Sequence, residues 1–471
     1  MDIPQLDDHL ELAHALYRQR KNLVQESQID VRVLMTVEQR LRAHLYALSH
    51  YIDSEEDEPD TEHEVFVYLA RRVLAHEEKY NVCSWNRAIA WLSESGGRYD
   101  GACALLTLFP PYANHGQLME NAYQQNEKLR ALIMTLWQRS QYQVPREMIQ
   151  TSEFSRYDEA LQRSILFYAS RTEQYQVDYF RPWYNSLLTG NGEVYQHLLE
   201  PAIFAGLIRG DDRAQSALLR GIEQLPGTAV QTRLLRLAAL GGDSKLLSVL
   251  DGYKKSSPAL AYYFIALLGS KQCVPVILQG LKQANHIEAA EKAWNLLTGV
   301  ELPQVKRMFL ASDSDRGYEK TSDDDDYDDE IFELDEEFDQ DEDDEEDNMI
   351  PDASAAQDWW NANQDLWQTQ QRYLAGQKAN DNILVQLATD ATGTIGRDLL
   401  DIVSLQTKKP FGDWGDTWVE RRRLALAGIT QGIETDDPRN TGSQAGSHQA
   451  SISSMPDRTT STQGRPYARA R

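Results

Sequence analysis

Four glycine breaks constrain this chain more than any other feature. They fall at Gly210, Gly241-Gly242, Gly269 and Gly299, at intervals of 31, 28 and 30 residues. Apolar runs ending in Ile or Leu precede the first three, at residues 202–208, 234–240 and 264–268, and second runs follow at 217–219, 246–250 and 274–281. Glycine takes the left-handed conformation that ends a helix at no steric cost. Asp211 and Asp243, directly after two of the breaks, carry the short acceptor that caps the next helix. Residues 195–300 therefore predict short helix pairs in register. Units of this kind bury one face only against their neighbours, which makes an α-solenoid.

The fold class that follows is all-α: HEAT-like helix pairs, an acidic disordered insertion, and a C-terminal helical segment. Six stretches are expected: an N-terminal helical segment (1–52), divergent helical repeats (65–190), regular repeats (191–305), the acidic segment (306–350), the C-terminal helical segment (351–433) and a disordered tail (434–471). Near the start, Leu10, Ala13, Leu16 and Tyr17, then Val33, Leu34, Val37, Leu41, Leu45 and Leu48, recur at helical spacing and predict two helices. Glu38, Arg40, Arg42 and His44 lie among them and are expected on a solvated face. Residues 84–108 repeat the later pattern weakly around Gly96-Gly97, and Pro110-Pro111 ends it. Residues 117–141 and 155–184 predict two longer helices dense in aromatics, with core packing and an aromatic groove both open. Beyond the acidic segment, helix is expected from Asp352, then at 383–388 and 397–405 around Gly393, then at 418–427, where Arg421-Arg422-Arg423 form a basic patch.

The formal charge of −26 is local in origin. Nineteen acidic residues and no basic one lie between Asp323 and Asp347, leaving 47 basic against 54 acidic residues elsewhere. No basic footprint for nucleic acid appears. No apolar run approaches the ~20 residues that span a bilayer, so no membrane partner is expected. Cys83, Cys103 and Cys273 are odd in number and far apart, which speaks for buried thiols in a reducing cytoplasm rather than disulfides.

Several stretches in order resemble one known family: His9-Leu10-Glu11, residues 38–45 (EQRLRAHL), residues 294–299 (WNLLTG), Trp359-Trp360 and residues 372–376 (RYLAG). Together they are similar to the bacterial HEAT-repeat-like family of unassigned biochemical function whose members are often encoded near type VI secretion genes. The resemblance spans roughly residues 9–405, including an acidic segment before the paired tryptophans. It implies a helical-repeat scaffold linked to contractile secretion and carries over no catalytic residue. The length of the acidic segment and the Ser/Gly-rich tail depart from it.

Enzyme signatures are absent from the sequence: no GxxxxGK[ST] loop, no GxSxG elbow, no HExxH helix. Asp324, Asp326, Asp328 and Asp335 have the spacing of a calcium loop, but Asp329 stands where its glycine belongs and the terminal Glu is missing. Residues 393–396 (GTIG) read as a helix–helix turn rather than an anion cradle. HEAT-like repeats also occur in bilin lyases, a reading that no motif here supports. No cofactor or metal is expected. The leading expectation is a non-enzymatic scaffold or adaptor holding a protein client, either a secretion effector or a machine component. Arg209, Arg213, Arg220, Arg233, Arg236 and Lys245 are its candidate contacts, each with the plainer reading of a solvated charge. The acidic segment, with Ile331, Phe332, Leu334 and Phe338 as anchors, is either a solubilising linker or a detachable occupant of the basic face. The alternative function is an immunity protein that neutralises a basic toxin through that segment.

Overall fold

Paired helices and left-handed glycines do organise the chain. The computed structural model describes residues 4–53, 56–109, 116–140, 142–149, 151–190, 194–306, 349–413 and 415–435. Expectations that rest on 307–348 (the calcium spacing, the four apolar anchors, the detachable occupant), on Pro110-Pro111 and on the tail from 436 lie outside the described residues.

The first half comprises α1 (Pro4–Gln25), α2 (Arg32–Leu48), α3 (Glu62–Val73), α4 (Glu78–Trp91), α5 (Gly97–Leu108), α6 (Gly116–Gln125), α7 (Arg130–Ser140), α8 (Glu159–Ser170) and α9 (Val177–Thr189). The regular repeats follow as α10 (Gln196–Ile208), α11 (Asp212–Gln224), α12 (Ala229–Gly241), α13 (Leu247–Tyr253), α14 (Pro258–Leu268), α15 (Cys273–Gly280) and α16 (Ile287–Thr298). Asp211 and Asp243 accept from the backbone N–H of Arg213 and Lys245, capping as their positions predict. Helices α8, α10, α12, α14 and α16 pack side by side as an inner row, with α9, α11, α13 and α15 behind them.

Two predicted helices are instead broken. Residues 117–141 divide at Asn126, whose side chain accepts from Lys128 N–H at 3.2 Å. Residues 155–184 divide after Ser170, and Asp158 caps α8 through Leu161 N–H at 2.8 Å. Short polar side chains that bond the local backbone end helices which apolar period alone would continue. Of the aromatics of this region Trp137, Tyr168, Phe180 and Tyr184 are buried, while Tyr157, Phe167, Tyr179 and Trp183 are half-buried.

The remaining elements are β1 (Gln304–Lys306) paired antiparallel with β2 (Met349–Pro351), α17 (Ala353–Asn363), β3 (Tyr373–Leu374) paired with β4 (Gln377–Lys378), α18 (Asp381–Asp390), α19 (Gly393–Thr407) and α20 (Val419–Thr435). Residues 372–408 form a strap along the C-terminal ends of the inner row. Such ends leave carbonyls without helical partners. Arg372 donates to Leu240 O at 2.8 Å, to Ala239 O at 3.2 Å and to Leu267 O. Tyr373 N–H meets Gly269 O at 2.7 Å, and the amides of Ala375 and Gly376 meet Leu296 O at 2.8 Å and Leu297 O at 3.0 Å. Ala375 and Gly376 both have positive φ (48° and 70°), the tight hairpin turn that aims their amides at α16. Lys408 reaches Leu207 O at 3.0 Å, at the end of α10.

Helix α19 rests against α10, α12 and α1. Thr392 bonds Gln28 O and Glu26 O, so the start of α19 docks beyond the end of α1; residues 393–396, expected as a helix–helix turn, are the first turn of α19 itself. The N-terminal pair also grips the start of α20. Arg20 bonds Glu38 at 3.0 Å and the carbonyls of Asp416 and Thr417, while Glu38 accepts from Val419 N–H at 2.8 Å. Glu38, expected on a solvated face, is thus buried. The expected basic patch is also dispersed: Arg422 is buried on Thr389 O, Arg421 bonds Ser140 O and Arg423 pairs with Asp390. These contacts make residues 1–430 one compact unit; of the second, 431–471, residues 431–435 are described and helical.

Three histidine pairs cross the N-terminal helix boundaries. His9 Nδ1 and His44 Nδ1 are 2.8 Å apart, and the rings of His14 and His63, and of His50 and His76, lie 5.3 Å apart. Burial, then the neighbouring His63, pull His14 from 6.5 down to about 4; Glu64 opposes them, and Arg18 and Arg71 add to the fall. A folded-state value below the unfolded one means that the unfolded chain takes the proton first. Stability from this group is complete above pH ~6.5 and lost as pH falls toward 4. Between pH 7 and 4.5 the wild type should lose about 1 kcal/mol more than His14→Gln, after discounting for partial exposure. Urea unfolding of both proteins at the two pH values measures the difference.

Candidate functional site

Charged residues inside apolar helices need partners, because an unpaired buried charge is very costly. Four such residues converge here. Glu200 interrupts Leu198-Leu199 and Ala202-Ile203 on α10, Arg236 sits within Leu234–Leu237 on α12, and Asp398 and Asp401 flank Leu399-Leu400 on α19. Asp398 is wholly buried; it accepts from Arg236 Nε at 2.8 Å and from the Tyr263 hydroxyl at 2.6 Å. Asp401 takes Arg236 Nη2 at 2.9 Å and Arg171 Nη2 at 2.7 Å. Glu200 is shared by Arg163 at 2.8 Å, Arg233 at 3.2 Å and Arg236 at 4.0 Å. Burial works against the charge on Arg236, but the facing Asp398 and Asp401 outweigh it and hold the guanidinium firmly protonated. Burial, then Asp398, push the Tyr263 hydroxyl far up, so it remains a donor.

This network floors a cleft of about 540 Å³ between α7, α8, α10, α12 and α19. Arg139, Arg163, Arg171, Arg236 and Arg397 line it, with Glu200, Asp401, Asp413 and Phe167. Arg163 lies over the Phe167 ring, 4.9 Å from its centroid. At the opposite rim Arg397 and Arg139 share Asp416, at 3.1 Å and 3.5 Å.

The six residues singled out from the sequence separate. Arg233 and Arg236 join the cleft network. Arg209 caps α8 by donating to Ala169, Ser170 and Thr172 carbonyls, and burial lowers it to about 10. Arg220 is exposed and bonds Leu188 O at 2.8 Å, while Arg213 and Lys245 are exposed beside their capping aspartates. Arg163, Arg171, Glu200, Asp398, Asp401 and Arg397 were not singled out. The available signal was the lone charge within an apolar run, with opposite signs on helices far apart in sequence.

Two of the three cysteines depart from their expected burial. Cys273 is buried, Cys103 is half-buried with its thiol pushed up to about 11 by burial, and Cys83 is exposed. Among the described residues, no three or more His, Cys, Asp or Glu are placed to hold a metal, and no helix is long and apolar enough to cross a membrane. Comparison with family models, with curated proteins and with solved structures found no match.

Asp398→Ala should destabilise the fold by about 1–3 kcal/mol, because Arg236 loses its closest partner and the Tyr263 hydroxyl its acceptor. Arg236→Met in the Asp398→Ala background should cost less than in the wild type, since the pair it breaks is already gone. Denaturation of the two single variants and the double variant gives the coupling.

Proposed function

We propose that the protein is a non-catalytic scaffold that holds a protein client at the arginine-lined cleft. The observation that carries this reading is the convergence of five arginines, from four helices and the C-cap of one of them, on one pre-formed recess. Its walls are fixed by shared carboxylates and by the strap, so little ordering is needed on association. A helical-repeat frame suits such a role, since it presents side chains at set positions on rigid elements. The resemblance to a family encoded near type VI secretion genes points to an effector or a machine component as client, met in the cytoplasm. The immunity alternative depends on residues outside those described and draws no support from the cleft.

A photo-crosslinking residue at Gln138 or Ser164, both on the cleft wall, tests the proposal in source cells. One discrete protein product should form at these positions and disappear with Arg163→Glu/Arg397→Glu. The same product from exposed Lys292 on α16, or none from the cleft, would count against it.

A further inference from the structure

The cleft has more hydrogen-bond donors than its own carboxylates can accept. A guanidinium carries five N–H donors, and a carboxylate offers about four acceptor sites. Arg139, Arg163, Arg171, Arg233, Arg236 and Arg397 share Glu200, Asp398, Asp401 and Asp416. The Nε–H groups of Arg139, Arg163 and Arg171 are buried without a protein acceptor, and Asp401 Oδ1, though ion-paired with Arg171, is buried without a hydrogen bond, so the donors open to a partner are the guanidinium ends at the rim. Arg163 and Arg397 remain substantially exposed, at 40% and 45% of their side chains, on helices from opposite halves of the chain. With five N–H donors each, these two exposed guanidiniums can take a further acceptor from outside.

Resting on the reading of the cleft as a client site, we infer that it takes an Asp/Glu-rich stretch of the client polypeptide. Guanidinium pairs carboxylate in a two-point geometry that an exposed lysine surface does not impose. Carboxylates line the cleft with the arginines, Glu200 paired with Arg163 and Arg233, Asp401 with Arg171 and Arg236, and Asp413 also on the lining. A dense polyanion or a phosphate cluster meets repulsion there. A peptide with spaced carboxylates places acceptors on the rim arginines and amide N–H groups on the acids. Phe167, beneath Arg163, adds an apolar surface for the peptide's methylenes. The volume is that of a pocket for a few side chains rather than a groove for a whole helix.

Fluorescence anisotropy of the full-length chain with a labelled Asp/Glu-rich peptide tests the assignment. Binding should weaken steeply with salt and drop at least tenfold in Arg163→Gln/Arg397→Gln, whose thermal unfolding should match wild type. The Asn/Gln counterpart of the peptide should not bind, and Arg213→Gln/Lys245→Gln should leave affinity unchanged. Equal affinity for the cleft variant, equal binding of the neutral peptide, or displacement by millimolar inorganic phosphate would overturn it. Binding seen only after removing residues 322–348 would assign the cleft to the chain's own acidic stretch and overturn it as well. Crosslinking at Gln138 and Ser164 that persists while the peptide fails would remove the acidic-segment chemistry and leave the scaffold reading standing.

Discussion

The structure depends on how the C-terminal ends of a row of helices find hydrogen-bond partners. Aligned helices leave aligned carbonyls, and burying them unpaired would be costly. Here the partners come from the chain itself. Arg372 serves α12 and α14, the turn at Ala375-Gly376 serves α16, and Lys408 serves α10. Burial lowers the Arg372 guanidinium to about 10, which leaves it charged at neutral pH. A cation at a helix C-terminus also opposes the partial negative charge gathered there. One segment thus joins four consecutive repeats through backbone acceptors that any sequence would present.

That attachment fixes where α19 runs, and α19 creates the cleft. Asp398 and Asp401 would be costly on an apolar helix anywhere else. Against α12 they meet Arg236 and, beyond it, Arg171. The same helix carries Arg397 to the rim, beside Arg139 on α7. A recess formed between distant parts of the chain is stiff because each wall is held by contacts unrelated to the ligand. Such pre-organisation lets polar groups recognise a partner without first being ordered.

Local rules were legible in the sequence, and distant pairings were not. Gly210, Gly242 and Gly269 end helices with positive φ, where their place after apolar runs put them. The strap left no signal of its own, because Arg372 bonds carbonyls, which carry no side-chain identity. Arg236 stood out as a cation among leucines, but its partner lies 162 residues away and the pairing exists only in space. Glu38 and Arg422 misled for the same reason: a charge on a helix reads as solvated until the element covering it is known. The breaks at Asn126 and after Ser170 escaped because polar side chains end helices that the apolar period would have continued.

The central claim is that helix ends without a side chain receive the strap and so close the body around α19. Gly269 and Gly210 separate this from ordinary glycine strain, since both have positive φ, 67° and 71°. A Cβ at Gly269 would stand 2.5 Å from Tyr373 O, whereas one at Gly210 meets nothing within 4 Å. Each alanine substitution carries the left-handed penalty of about 1–2 kcal/mol. By urea unfolding, Gly269→Ala should cost at least about 1 kcal/mol more than Gly210→Ala, the added loss being displaced strap contacts. Equal costs at the two positions would contradict the account.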